Sequence, residues 1–146
     1  MNNNLQTINT IYEAFGMGNI PAIIDCIADN SEWELWADNS AQKAGVPWLL
    51  PRKGKEGALE FFKTVGELRI KDFQVLSIMS NENQVAVEFI IEADVPATGG
   101  HYRDEEIHLW TFDENGKVIR LRHYADTAKH INAAKLNTQI RQTGDK

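Results

Sequence analysis

Two histidines, His108 and His123, have the residue type and spacing for acid–base chemistry. They lie on either side of Asn115-Gly116, the dipeptide that most favours a two-residue hairpin turn because both turn positions need positive φ. In that register the two imidazoles face each other across neighbouring strands, with their Cβ atoms about 5.5 Å apart. Because the pKa of histidine is easily moved across neutrality, such a pair could serve as general acid and general base.

The same register predicts that the histidines share an apolar face of the sheet. The cross-strand pairs expected there are Phe112–Ile119, Trp110–Leu121 and His108–His123. Imidazoles on an apolar face are costly unless they are hydrogen-bonded, so Glu106, Tyr12, a loop backbone group or bound water are the expected partners. The alternative interpretation is a pair of core histidines with satisfied hydrogen bonds and no catalytic role.

A metal site is a further interpretation of the same residues. Both histidines and Glu106 could supply three ligands, but the sequence contains no dedicated ligand motif such as H-E-x-x-H. We therefore predict that the protein uses neither a metal nor another cofactor.

Composition limits what else the protein could do. The chain has 146 residues, of which 21 are acidic and 15 basic, and its formal net charge is −6. The length fits one domain, predicted over residues 1–142 with a frayed tail at 143–146. The excess of acidic residues and the lack of a basic run argue against a nucleic-acid partner. Cys26 is the single cysteine, and no stretch approaches the roughly 18 apolar residues needed to span a membrane. These features predict a cytoplasmic protein without a membrane partner.

The periodicity of apolar residues predicts the elements that must position the histidines. Helical spacing predicts helices near residues 5–15, 20–27 and 57–68, and a last helix from 126 to about 139. Alternating polarity predicts strands at residues 32–36, 71–79, 84–94, 101–112 and 118–124. Helices first and an antiparallel meander afterwards indicate an α+β fold with helices packed on one face of a curved sheet.

A long loop follows the first predicted strand and carries the apolar stretch 46–51, which includes Trp48. Because long loops in compact domains are often functional, we interpret this one as a lid over a cavity. A hydrophobic plug that seals the open end of the core is the alternative, since a buried tryptophan looks the same in either role.

The outer face of the predicted sheet mixes charged and apolar side chains. By parity it holds Glu88, Glu92, Arg120 and Arg122 together with Ile90, Leu109 and Tyr124. Such a surface suits a two-fold interface, so we expect a homodimer through this face. A solvated face with opposite-charge pairs is the alternative.

The order of these segments resembles the SnoaL-like branch of the NTF2-like superfamily over about residues 5–135. The motifs that carry the resemblance are Tyr12-Glu-Ala-Phe15, Asp29-Asn-Ser-Glu-Trp33, Arg52-Lys-Gly-Lys-Glu-Gly57, His108-Leu-Trp-Thr-Phe112 and Arg120-Leu-Arg-His-Tyr124-Ala-Asp126. The resemblance implies a cone-shaped α+β barrel, in which a strongly bent, mostly antiparallel sheet wraps around N-terminal helices and leaves a deep pocket.

The resemblance also implies a range of activities. The superfamily includes ketosteroid isomerases and polyketide cyclases, which transfer protons on small apolar substrates without cofactors, and also non-catalytic binding domains; many members are dimers. The position of the isomerases' aspartate base holds Leu35 in this sequence, and their hydrogen-bonding aspartate matches His108. The cyclases resemble this chain more closely, which suggests that His108 acts with His123 or Asp126. Helix capping is the alternative role for Asp126.

We therefore predict a pocket protein that acts as an isomerase, cyclase or lyase on a small apolar carbonyl compound. His123 would remove a proton, and His108 would stabilise the developing enolate. The predicted catalytic residues are His108, His123 and Asp126, and the predicted substrate-binding residues are Tyr12, Phe15, Trp33, Leu35, Trp48, Phe62, Phe89, Trp110 and Leu121. The alternatives are a module that binds a hydrophobic ligand without chemistry and a structural dimer with a collapsed pocket.

Overall fold

A computed structural model describes residues 3–135 and confirms the predicted α+β class. Its helices are α1 (Asn4–Gly16), α2 (Ile20–Ile24), α3 (Ser40–Lys43), α4 (Gly54–Val65) and α5 (Thr127–Ala134), with a 3-10 turn at Pro47–Leu49. Its strands are β1 (Ile27–Trp33), β2 (Arg52–Lys53), β3 (Arg69–Ser80), β4 (Gln84–Val95), β5 (Gly100–Phe112) and β6 (Val118–Tyr124). Within the described residues, no helix is long and apolar enough to cross a membrane.

The strands form one mixed sheet in the order β2-β1-β6-β5-β4-β3. All neighbouring strands are antiparallel except β1 and β6, which are parallel. The sheet is open, with β2 and β3 at its edges, and β3 contains two register shifts that mark bulges and bend the strand. Helices α1, α4 and α5 pack against β4, β1 and β5, so the apolar core lies between these helices and the inner face of the sheet.

The first strand differs from its prediction. It runs from Ile27 to Trp33, whereas alternation of polarity placed it at 32–36, and α2 ends early at Ile24. The cause is a long-range pairing, because the first residue of β1 lies beside Val118 in the parallel ladder with β6. Local periodicity carries no information about a partner so far along the chain.

The hairpin between β5 and β6 confirms the predicted register at the histidines and differs at the turn. The observed pairs are His108–His123, Trp110–Leu121 and Phe112–Val118. The prediction that Phe112 lies opposite Ile119 is therefore wrong, and a bulge just inside the turn accounts for the difference.

The geometry of the turn explains this bulge. Gly116 has a positive φ of 78° and Asn115 does not, whereas a type I′ turn needs positive φ at both positions. The side chain of Asp113 instead accepts the backbone N–H groups of Asn115 and Lys117, each at 2.9 Å. A longer loop replaces the two-residue turn, and the bulge restores the register before the histidines are reached.

Helix α5 is held against β5 by a close backbone approach. A Cβ added at Gly100 would lie 2.2 Å from the carbonyl oxygen of Ala133, so this position requires glycine. The Thr98 hydroxyl donates to the same carbonyl oxygen at 2.6 Å. The contact places His130 of α5 over the inner face of the sheet. The predicted extension of this helix to 139 and the predicted frayed tail lie outside the described residues.

Candidate active site

A cavity of about 70 Å³ lies between the helices and the inner face of the sheet. Its wall is largely aliphatic and aromatic and includes Ile11, Phe15, Phe61, Phe62, Val65, Leu68, Ile70, Phe73, Phe89, Ile91, Trp110 and Leu121. The side chains with polar atoms at this wall are Tyr12, Trp48, Tyr102, Glu106, His108, Trp110 and His123. A few polar groups that converge on an apolar cavity are typical of a small-molecule site.

The structure brings most of the predicted site residues together. The predicted residues that line the cavity are Tyr12, Phe15, Trp48, Phe62, Phe89, His108, Trp110, Leu121 and His123. They come from α1, the 3-10 turn, α4, β4, β5 and β6, so tertiary packing assembles the site from distant parts of the chain.

The structure places three predicted site residues outside the cavity. Trp33 is fully buried behind the wall as part of the core. Leu35 is only partly buried and lies beyond the end of β1, where the left-handed backbone of Glu34 (φ 57°) redirects the chain. Asp126 is exposed at the N-cap position of α5, and its side chain makes no capping hydrogen bond. It therefore fits neither the catalytic role nor the side-chain capping role.

His108 belongs to a short chain of hydrogen bonds in the cavity wall. The indole Nε1–H of Trp110 donates to the hydroxyl oxygen of Tyr12 at 3.1 Å, and that hydroxyl lies 2.6 Å from His108 Nδ1. In the tautomer in which this hydroxyl donates to Nδ1, the ring proton of His108 is on Nε2. Burial and the neighbouring His123 lower the pKa of His108 well below its ordinary value, so the ring is neutral. The predicted partnership with Tyr12 is confirmed.

His123 has a different partner, the buried carboxylate of Glu34. This carboxylate is hydrogen-bonded to His123 Nδ1 and also accepts the backbone N–H of His123 at 2.9 Å. Burial lowers the pKa of His123, but the charge and the hydrogen bond of Glu34 outweigh it and raise that pKa above its ordinary value. With Nδ1 occupied, Nε2 is the nitrogen available to a ligand.

Glu34 is a site residue that the sequence did not reveal. Its side chain is 2% exposed, although Glu32, two residues earlier, is exposed. Its backbone N–H donates to the carbonyl of Leu121 at 2.9 Å, and its positive φ is a conformation that a non-glycine residue adopts only when its surroundings enforce it. The local pattern of alternating charge and apolar bulk indicates a solvated glutamate, so no sequence signal identified it.

The two imidazoles are in direct contact across the hairpin. The ring centroids of His108 and His123 lie 4.2 Å apart, with the rings edge to face at 85°. A nitrogen of each ring and a carboxylate oxygen of Glu106 lie within 4.8 Å of one another. A neutral donor, a carboxylate-supported base and a second carboxyl group therefore meet at one point of the cavity wall.

A second buried network adjoins the same wall. His130 Nε2 lies 2.9 Å from Asp104 Oδ2 and 2.8 Å from Glu106 Oε2, and Trp48 Nε1–H donates to His130 Nδ1 at 2.9 Å. All three titratable groups are almost completely buried. The sequence did contain a signal for the two acids, because Asp104 and Glu106 occupy the alternate positions of β5 that face inward. His130 was missed because it lies on a helix.

The loop with the apolar stretch 46–51 is packed as a fixed part of the wall. Trp48 and Leu49 are each 5% exposed. The Arg52 guanidinium donates to the carbonyl oxygens of Pro47 and Leu50, at 2.9 and 3.2 Å, and ties the loop down. This arrangement agrees with the plug interpretation, while the cavity behind it stays open.

Two groups of described residues have a spacing that suits a metal ion. They are Glu106–His108–His123 and Asp104–Glu106–His130, each with its donor atoms within 4.8 Å of one another. In the first group, hydrogen bonds occupy Nδ1 of both histidines. In the second, both nitrogens of His130 are hydrogen-bonded. Hydrogen bonds thus satisfy the second group, whereas the first keeps Nε2 of His123 available, and the chemistry that this arrangement supports directly is proton transfer.

Solved structures with the same fold are numerous and distant in sequence. An NTF2-like protein from Burkholderia xenovorans LB400 is 19% identical, with a TM-score of 0.76 over 90% of this chain and 95% of that one. A candidate polyketide cyclase from Silicibacter sp. TM1040 is 16% identical, with a TM-score of 0.66 over 89% and 93%. A computationally designed 17-OHP binder is 15% identical, with a TM-score of 0.65 over 85% and 93%. At these identities the similarity shows the fold alone.

Among curated proteins, none matches this chain. The sequence profile of the SnoaL-like domain, by contrast, matches residues 8–121. That segment runs from α1 into β6 and includes Tyr12, Glu34 and His108, while His123 lies just beyond it. The fold and this match agree with the resemblance seen in the sequence, and the chain belongs to the SnoaL-like domain family.

Proposed function

We propose that this chain catalyses cofactor-free proton transfer, as an isomerase, cyclase or lyase, on a small apolar carbonyl compound. The observation that carries the proposal is the carboxylate-supported His123, in contact with the neutral His108 at the wall of an apolar cavity. A base, an adjacent hydrogen-bond donor and an apolar cavity are what enolisation of a carbonyl compound requires.

In this proposal His123 is the base. Neutral His123 keeps its proton on Nδ1, where Glu34 accepts it, and offers the lone pair of Nε2 to a C–H group next to the carbonyl. Glu34 stabilises the imidazolium that forms, in the way a carboxylate supports histidine in hydrolase triads. Because the pKa of His123 is raised, the base is stronger than an ordinary imidazole.

His108 is the hydrogen-bond donor in the same proposal. The hydroxyl of Tyr12 points its proton at Nδ1, so Nε2–H is left to donate to the carbonyl oxygen as negative charge develops. Its depressed pKa keeps the ring neutral, which places no second cation beside the imidazolium of His123. The aromatic wall, with Phe89 and Trp110, excludes water from the enolate.

The experiment measures exchange of the α-hydrogens of 2-tetralone in D₂O by proton NMR. The wild-type chain is expected to accelerate exchange, and His123→Gln or His108→Gln is expected to reduce the acceleration by about 100-fold or more. His101→Gln is the matched control, because His101 is exposed outside the cavity. Near-wild-type exchange by both site variants would contradict the proposal.

A second candidate function is binding of a hydrophobic ligand without chemistry. The largely apolar cavity supports it, as does the similarity of the fold to that of a computationally designed 17-OHP binder. Native mass spectrometry of the purified protein separates the two candidates. A ligand carried through purification, together with no exchange of 2-tetralone, supports binding alone.

We also propose a cytoplasmic homodimer formed through the outer face of the sheet. On that face Ile90 and Leu109 are partly buried and Tyr124 is exposed, with Glu88 and Arg122 beside them. Opposite charges around apolar residues suit a self-complementary interface. Light scattering is expected to give the mass of two chains for the wild type and of one chain for Leu109→Glu. A single-chain mass for the wild type would contradict the dimer.

A further inference from the structure

We propose that Glu106 is a second catalytic residue, a general acid that delivers a proton to the substrate, and that His130 and Asp104 hold it in position for this step. This inference rests on the proposed function and deepens it. It divides proton removal and proton delivery between two groups, His123 and Glu106.

The position of Glu106 is the first support. Its side chain is 3% exposed and forms part of the cavity wall. One of its carboxyl oxygens lies within 4.8 Å of nitrogens of both His108 and His123. A substrate that contacts the two imidazoles therefore lies within reach of this carboxyl group as well.

The second support is the hydrogen-bond arrangement around His130. Because Trp48 donates an N–H to Nδ1, that nitrogen is an acceptor and cannot carry a proton. The ring proton is on Nε2, and this single N–H faces two carboxyl groups, Asp104 at 2.9 Å and Glu106 at 2.8 Å. Two ionised carboxylates that share one donor inside a protein are strongly unfavourable, so the group retains a further proton.

The location of that proton follows from the remaining partners. Asp104 also accepts the backbone N–H of Asp126 at 3.1 Å. Burial raises the pKa of Asp104, but its hydrogen bonds from His130 and from this backbone N–H outweigh burial and lower the pKa, so Asp104 is ionised. We assign the shared proton to Glu106, because Asp104 has the additional backbone donor and Glu106 is the carboxyl group at the cavity wall.

The charged and titratable groups that face Glu106 are Asp104 and His108 on β5, His123 on β6 and His130 on α5, with Tyr102 adjoining the network.

A complete cycle balances without any further reactant. For a β,γ-unsaturated ketone, His123 Nε2 takes the α-proton as the C–H bond breaks, and the electron pair forms a dienolate whose oxygen accepts the N–H of His108. The O–H bond of Glu106 then breaks as a C–H bond forms at the γ-carbon. The imidazolium of His123 returns its proton to the carboxylate of Glu106, and the product is the conjugated ketone.

The test compares two reactions of the full chain. One is α-hydrogen exchange of 2-tetralone in D₂O, which needs only the base and the oxyanion donor. The other is conversion of 3-cyclohexen-1-one to 2-cyclohexen-1-one, followed by the ultraviolet absorbance of the conjugated product, which also needs delivery at the γ-carbon. Glu106→Gln is expected to lower isomerisation by about 100-fold or more and to lower exchange by a much smaller factor, so that the ratio of the two rates falls at least about 10-fold. His123→Gln is expected to abolish both.

The controls test whether the effect belongs to the acid. Glu105→Gln changes the neighbouring exposed glutamate on the same strand and is expected to leave both reactions unchanged. His130→Gln keeps the carboxyl group of Glu106 but removes its positioning partner. It is expected to lower isomerisation and to move the high-pH limb of its rate profile, where the acid is lost. Glu106→Asp, which keeps a carboxyl group, is expected to restore part of the isomerisation that Glu106→Gln loses.

Three results would overturn the inference. Isomerisation by Glu106→Gln at the wild-type rate would show that Glu106 delivers no proton. Equal losses of exchange and isomerisation in folded Glu106→Gln would show that it acts in the base step or in binding. A wild-type chain that catalyses neither reaction would overturn the proposed function itself, and the inference with it.

Discussion

The two buried imidazole networks of this protein contain similar residues but differ in which atoms are left free. His123 is fixed by Glu34 at Nδ1 alone, and its Nε2 remains available in the cavity wall. His130 is held at both nitrogens, by Trp48 on one side and by two carboxyl groups on the other. Histidine reactivity thus depends on an unoccupied nitrogen, and a fully bonded histidine can only position its neighbours.

The largest effect expected from this comparison is on stability. His130→Ala leaves Asp104 and Glu106 buried without their imidazole partner and is expected to cost about 3–5 kcal/mol of unfolding free energy. His108→Ala removes a neutral ring whose partner is the hydroxyl of Tyr12 and is expected to cost about 1–3 kcal/mol. Urea denaturation at pH 7 measures both. Equal losses would contradict the expectation that the network of His130 with two carboxyl groups contributes more to stability than the pair of His108 and Tyr12.

A smaller effect is expected on pH dependence when Glu34 is replaced. The raised pKa of His123 means that the ion pair with Glu34 stabilises the fold fully below about pH 6.5, the ordinary histidine value. This stabilisation is lost as the pH rises through the folded-state pKa of His123. Glu34→Gln removes the negative charge of the pair. The decrease in stability with rising pH is therefore expected to disappear in this variant.

The same variant sharpens the assignment of the base. In Glu34→Gln the neutral, basic form of His123 is populated at lower pH, so the rising limb of the 2-tetralone exchange profile is expected to move to lower pH. The maximal rate is expected to fall because the base is weaker. Glu32→Gln, a change at an exposed glutamate on β1, is the matched control. A limb that stays in place would mean that Glu34 does not set the pKa of His123.

Much of the fold and half of the site were predictable from the sequence. Alternating polarity identified β4, β5 and β6, and the turn residues Asn115-Gly116 set a register that places His108 against His123. The pairing of His108 with His123 was predicted correctly although the turn type differed. The reason is that a slip of one residue would move the apolar side chains of a strand from the core to the outer face. The parallel strand β1 was misplaced, since its partner β6 is distant in sequence.

The chain itself determined which side chains share a face: the period of a strand is two residues, and burial of apolar bulk then fixes the inner side. Only the tertiary structure decided what each imidazole touches. Glu34 reaches His123 because its own backbone is left-handed, a conformation that no local pattern specifies. His130 reaches Glu106 because α5 closes onto Gly100. Hydrogen bonds between distant elements depend on distances of tenths of an ångström, and such distances are set by packing and not by spacing along the chain.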